Sequence, residues 1–301
     1  MAARATVEAL LREKKLDRTL TSALPERLGE DAVAPLDSAA LNRALAGRDG
    51  LQNDAGAGGL PRGQVSEVVG PASSGRTSVA WAALAAATRR GESVALIDTF
   101  DRFDPPTAKA CGIELSRLLW VRGQAVSKTT TAIDPAWLPG VRAVNGPGTF
   151  VERVIDRAIK ALNLVVQSGV CTLVVVDLID VPANALRRLP ASTWFRVERA
   201  IENSDTAVLI LSAIPVSRST GGRSIVLDGS GEPATGNRER GTGNRQSALA
   251  APGSRLQGPV WNGDHDRSRR MSGVRVRATV NAARWTQAQP VNLETRVINA
   301  V

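Results

Sequence analysis

Gly70-Pro71-Ala72-Ser73-Ser74-Gly75-Arg76-Thr77 fits the pattern G-x-x-x-x-G-K-[ST] at every fixed position but one, where arginine stands in place of lysine. The flanks supply the context this pattern needs. Val65-Ser66-Glu67-Val68-Val69 reads as a strand running into the loop, and the alanine-rich run 77–87 reads as a helix leaving it. Glycines in such a loop let successive backbone N–H groups turn toward one anion, and the helix N-terminus adds a favourable dipole. The candidate phosphate-binding residues are Gly70, Pro71, Ala72, Ser73, Ser74, Gly75, Arg76, Thr77 and Ser78, with the Thr77 hydroxyl a candidate magnesium ligand. Arg76 keeps the positive charge, but its planar fork cannot set a compact ammonium between two phosphates. Nucleotide binding is expected to survive that change, and fast hydrolysis is not.

Working outward, the chain alternates strands and helices. Residues 93–98, 118–121, 172–177 and 206–212 read as strands, the last two as fully buried parallel ones. The run 149–167 places Val151, Val154, Ile155, Ala158, Leu162 and Val165 on one helical face, with Glu152, Arg153, Asp156 and Lys160 opposite. Further helices are expected at 36–45 and around 194–203, and a small amphipathic one near 6–20. Strand character returns at 274–280 and 291–298. This order predicts an α/β fold with a mostly parallel central sheet covered by helices on both faces. Four regions follow: a helical segment and linker over 1–59, a nucleotide-binding core over 60–216, a Gly/Ser/Arg-rich insertion over 217–273, and C-terminal strands over 274–301 that complete the sheet. The insertion has few large apolar residues and is expected to be disordered.

A chain of 301 residues, 43% hydrophobic, can bury a full core. No apolar run reaches the roughly 18 residues of a membrane span. The first residues lack the apolar stretch of a signal peptide, so a cytoplasmic protein without a membrane partner is expected. Cys111 and Cys171 sit among apolar residues and read as core positions. The single histidine, His265, suggests neither a metal site nor histidine catalysis. A net charge of +9 points to an anionic partner. The excess concentrates in residues 217–277, with eleven arginines against five acidic residues.

Leu173-Val174-Val175-Val176-Asp177 is a buried strand ending in an acid, and an Asp in that place orients magnesium or its water in phosphate-loop proteins. With this second signal in hand, the chain resembles the RecA family. The likeness rests on Gly58-Gly59-Leu60-Pro61-Arg62-Gly63, the stretch Glu67 through Thr77, Ile97-Asp98, Asp104-Pro105, residues 115–119, and the 174–177 strand. It covers roughly residues 36–215, with a looser echo after 274. The resemblance implies ATP with Mg2+ as ligands, held by the loop and by Thr77 and Asp177. It also implies single-stranded DNA as a partner, contacted by two loops. The first falls at 180–190 and contains Arg187 and Arg188; the second begins near Ile214 and runs into the arginine-rich stretch, with Arg218 and Arg223.

The departures from the family are equally specific. Its catalytic glutamate falls at Phe100, its Asn-Gln sensor pair at Ser212-Ala213, and its adenine-stacking tyrosine at Thr107; the chain holds no tyrosine. No catalytic residue is therefore assigned. Divergent paralogues with such a site are similar to the ImuA-type accessory proteins of damage-induced (SOS) mutagenesis, which act with a translesion polymerase. Three readings stand at this point: a DNA-repair accessory protein that binds ATP and hydrolyses it poorly, an active DNA-dependent ATPase recombinase forming homo-oligomers or filaments, and a protein-interaction scaffold with a vestigial loop.

Overall fold

A computed structural model of the protein describes residues 32–50, 58–123, 150–217, 221–228, 258–262, 270–283, 285 and 287–296. The expected helix near residue 6 lies outside the described residues, as does His265. The elements in chain order are β1 (Val33–Ala34), α1 (Ala39–Gly50), β2 (Leu60–Pro61), β3 (Val65–Val69), α2 (Arg76–Arg89), β4 (Val94–Asp98), α3 (Pro105–Ala110) and β5 (Leu118–Arg122). Then come α4 (Phe150–Ser168), β6 (Leu173–Asp177), α5 (Ala183–Arg188), α6 (Ala191–Ile201), β7 (Ala207–Ser212), β8 (Ser224–Leu227), β9 (Gly258–Asn262), β10 (Arg270–Asn281) and β11 (Gln289–Arg296).

Nine of the strands form one sheet in the order β11-β10-β8-β3-β7-β6-β4-β5, with β9 paired beside β10. From β8 to β5 every pairing is parallel, and β8, β9 and β11 meet β10 antiparallel. The parallel strands are continuous apolar runs because helices cover both faces. Alternate side chains go to opposite layers. Leu173 and Val175 of β6 pack with Val79, Ala83 and Leu84 of α2, while Val174 and Val176 pack with Val154, Leu162 and Val197 of α4 and α6. Each fully buried residue of this kind contributes about 1.5–3 kcal/mol. The α/β architecture matches the expectation from the sequence, and the mostly parallel sheet does too.

α1 is fixed at its start by the sequence around it. Ser38 Oγ accepts from Leu41 N at 3.3 Å, and the Asn42 side chain both accepts from Leu36 N and donates to Leu36 O. Leu41 and Leu45 then reach the core.

The sheet departs from expectation inside the stretch 217–273. β8 lies within it, sandwiched between β3 and β10 with Ile225 and Leu227 buried, so this part of the stretch belongs to the core and is not an insertion outside it. Its apolar run is only Ile225-Val226-Leu227, too short to register against Gly, Ser and Arg on either side. β9 and the first residues of β10 also fall there. Trp285 is half-buried against the first core layer with the Arg223 guanidinium 4.8 Å over its ring. Cys171 is buried as expected, whereas Cys111 is half-exposed.

Candidate nucleotide site

The phosphate loop sits where β3 ends and α2 begins, at the C-terminal edge of the parallel strands. Gly70 N donates to Ser212 O at 3.4 Å, which ties the loop to the end of β7. A Cβ on Gly70 would lie 2.6 Å from Ser74 Oγ and 2.9 Å from Leu227 O, so only glycine fits. Ser73 and Gly75 adopt the left-handed conformation, with φ of 60° and 94°. These two residues turn the chain so that α2 starts at Arg76, and a helix leaves its first N–H groups without intrahelical partners. Residues 73–78 line one wall of a cavity of about 270 Å³; Ile179, Val276 and Thr295 line the other.

Two buried polar groups in this cradle have no partner among the described residues: Ser74 Oγ and Arg76 Nη1. Buried orphans of that kind are costly, and an anion in the cavity would satisfy both. Burial lowers the Arg76 pKa, and the charges of Asp177 and Asp180 oppose that shift. Arg76 is thus a buried cation facing the cradle. The donor set fits a phosphate group.

Asp177 ends β6 beside Asp98 of β4, its register partner. Burial pushes its pKa up to about 6; Ile179 N, donating at 2.9 Å, and Arg76 oppose the shift, while Asp98 and Asp180 add to it. Thr77 is exposed on the first turn of α2. The two candidate magnesium ligands therefore stand on adjacent elements at the same edge of the sheet.

Asp98 is buried and accepts from Arg102 N, Phe103 N and Trp120 Nε1 at 2.8, 2.8 and 3.1 Å. It works as the anchor of the 99–103 loop. Phe103 packs edge-on between Trp81 and Trp120, and Arg122 lies 4.6 Å over Trp120 while bonding both oxygens of Asp101. Phe100 is 4% exposed and packs with the α4/α6 layer, on the sheet face away from α2. Thr107 is exposed and bonded to Asp104, the cap of α3.

A profile of the RecA N-terminal domain matches residues 14–133. The RecA protein of Nocardioides sp. is 28% identical over 67% of the chain and 54% of its own length. That of Lactobacillus delbrueckii subsp. bulgaricus is 36% identical over 38% of the chain and 33% of its own. That of Acidothermus cellulolyticus is 43% identical over 31% and 26%. The chain is thus similar to RecA proteins over part of its length. It spans between about a third and about half the length of the first of these curated relatives that it matches.

Against the RecA pattern, the cradle keeps its shape while the groups around it change. Phe100, where the resemblance places the family's catalytic glutamate, faces the core. Ser212 is buried at the end of β7, its hydroxyl donating to Ile214 O at 2.7 Å, so it presents no amide to the cavity. Of the candidate DNA contacts, Arg187 and Arg188 are exposed on the last turn of α5, and Arg188 pairs with Glu152 at 3.5 Å. Arg218 lies outside the described residues. Arg223 is a correction: its side chain donates to Leu45 O and Gly221 O and stacks over Trp285, so it is committed to packing α1 against the sheet. The loop after β7 enters that stretch and reaches β8 at residue 224, pinned to β3. Sequence reading missed the residue responsible. Glu67 of β3 is buried and accepts from Val216 N, Ser217 N and the Ser224 hydroxyl at 2.9, 3.1 and 3.0 Å. A lone acid inside an apolar strand run was the signal available.

Proposed function

We propose that the protein is a RecA-like DNA recombination and repair factor that binds ATP with Mg2+ and hydrolyses it poorly, serving as an accessory of the DNA-damage response in the manner of the ImuA-type proteins. One observation carries the reading: the phosphate cradle is formed, with buried unpartnered donors, while the side chain at the water-activating position is a core phenylalanine. The backbone N–H groups of 73–78, Ser74 Oγ and Arg76 would hold the phosphates. Thr77 and Asp177 would hold the metal, which neutralises charge on the transferring phosphoryl group when bound. The carboxylates beside the 99–103 loop are engaged elsewhere: Asp98 accepts from three N–H donors and Asp101 bonds Arg122. Without a positioned nucleophile the chemical step loses its largest contributions. Single-stranded DNA and a translesion polymerase are the partners this reading assigns, in the cytoplasm.

The test is a titration with a fluorescent ATP analogue, with and without single-stranded DNA, beside a phosphate-release assay. Expected are saturable, magnesium-dependent binding, weakened by Thr77→Ala, and turnover at background that Arg76→Lys alone does not raise. DNA-stimulated turnover would make the protein an active recombinase instead. No binding at millimolar nucleotide would leave a scaffold with a vestigial loop.

A further inference from the structure

We infer that the cradle grips the diphosphate of a nucleotide and leaves the terminal phosphate unread, so that nucleoside diphosphates and triphosphates bind alike. This rests on the cradle taking a nucleotide, as proposed above, and it assigns the indifference to Arg76. Arg76 is 5% exposed, lines the cavity, and has no partner for its Nη1 among the described residues. A guanidinium offers a planar fork of parallel N–H donors, which closes on the oxygens of a single phosphate. An ammonium is a compact point charge that can lie between two phosphates, and a lysine there rewards the arrival of a third. The fork spends its donors on one group.

The groups around Arg76 are committed or negative. Ser212, at the end of β7, gives its hydroxyl to Ile214 O at 2.7 Å, while its own carbonyl accepts from Gly70 N at 3.4 Å; Ala213 follows with a methyl side chain. Arg102 is held by Asp180 at 3.1 Å and Arg122 by Asp101 at 2.8 Å. Asp177 and Asp180 attract the Arg76 guanidinium, and Asp98 and Asp180 act in turn on Asp177. Three carboxylates thus gather around the pair of Arg76 and Asp177, and a third phosphate would bring like charge toward them. Nucleotides that bind equally well release no free energy on exchange to drive a change of conformation. The bound nucleotide then stabilises the fold by mass action and does not time a cycle.

Isothermal calorimetry on the full chain, with ADP and with a non-hydrolysable ATP analogue at equal magnesium, reads the two affinities side by side. Dissociation constants within about threefold of each other are expected, with equal rises in melting temperature at equal occupancy. Arg76→Lys should make the analogue at least tenfold tighter than ADP. Asp180→Asn is a second variant at a half-exposed position; it removes one carboxylate and frees Arg102, and should shift the preference toward the analogue in the same direction. A wild-type preference of tenfold or more for the analogue would overturn the inference and leave the nucleotide reading standing. Equal affinities that persist in both variants would refute the role given to Arg76. Heat with neither nucleotide at millimolar concentration would overturn the nucleotide reading, and the inference with it.

Discussion

Replacing Phe100 with glutamate would restore the family's water-activating residue by name, and it is expected to unfold the protein instead of reviving hydrolysis. Phe100 is 4% exposed and packs within the α4/α6 core layer. Truncating such a phenylalanine to alanine removes its buried surface and leaves a cavity, at about 3–5 kcal/mol. Glutamate adds a carboxyl group with no apolar substitute for a partner, and an unsatisfied buried polar group adds roughly 1–3 kcal/mol. The sum, about 4–8 kcal/mol, is comparable with the whole stability of a typical domain, about 5–15 kcal/mol. Phe100→Leu, which keeps most of the apolar volume, should lose much less.

Urea unfolding followed by circular dichroism orders the three variants, and phosphate release is measured on whatever stays folded. The expected midpoints fall from wild type through Leu and Ala to Glu, with no gain in turnover. If Phe100→Glu kept the wild-type midpoint, the side chain at 100 could turn out of the core, and the argument that its burial excludes a catalytic carboxylate would fail. A stable variant with restored turnover would fail it more decisively, because it would show a site awaiting one residue.

Asp177 has its pKa raised to about 6 by burial, so the folded protein holds a proton that the unfolded chain releases near 3.9; stability should therefore fall as pH rises through about 4 to 6 and stay level above, with a difference on the order of 2–3 kcal/mol. Asp177→Asn should melt higher than wild type at pH 7 and level with it near pH 3.5, and equal pH profiles would refute the assignment. Deleting residues 229–257, which carry Arg238, Arg240, Arg245 and Arg255, should leave the melting temperature unchanged. If those arginines touch DNA phosphates, the deletion should flatten the log-affinity against log-salt slope for single-stranded DNA by up to about 3. The wider deletion 218–270 removes β8 and should destabilise the core.

What could be read from the sequence was what is local. The strand–loop–helix at 65–87 needs only residues adjacent in the chain, and the 150–168 helix announces itself by one buried stripe. The buried strands are visible because both faces are covered, so nothing polar interrupts 173–176 or 207–211. β8 escaped because its identity as a strand is conferred by its neighbours: three apolar residues in a polar stretch become sheet only when β3 and β10 pair with them. Arg223 escaped for the same reason. As a letter in a basic stretch it looks like a phosphate contact, and only the fold brings Leu45 O and the Trp285 ring to it.

Glu67 carries this furthest. Its carboxylate holds Val216 N and Ser217 N, about 150 residues away in the chain, together with the Ser224 hydroxyl. Both ends of the loop that follows β7 are therefore clipped to the strand that delivers the phosphate loop. Arg223 N adds a bond to Ser66 Oγ, and Glu67 N one to Arg223 O, from neighbouring positions of the same strand. A buried carboxylate with three donors tolerates the loss of none of them cheaply, since each donor left bare is itself half-buried or better. The segment that the resemblance assigns to DNA is in this way tied to β3 at residues 216, 217, 223 and 224. Arg223, one of the eleven arginines between 217 and 277, is thereby held by the fold and not by an anionic partner.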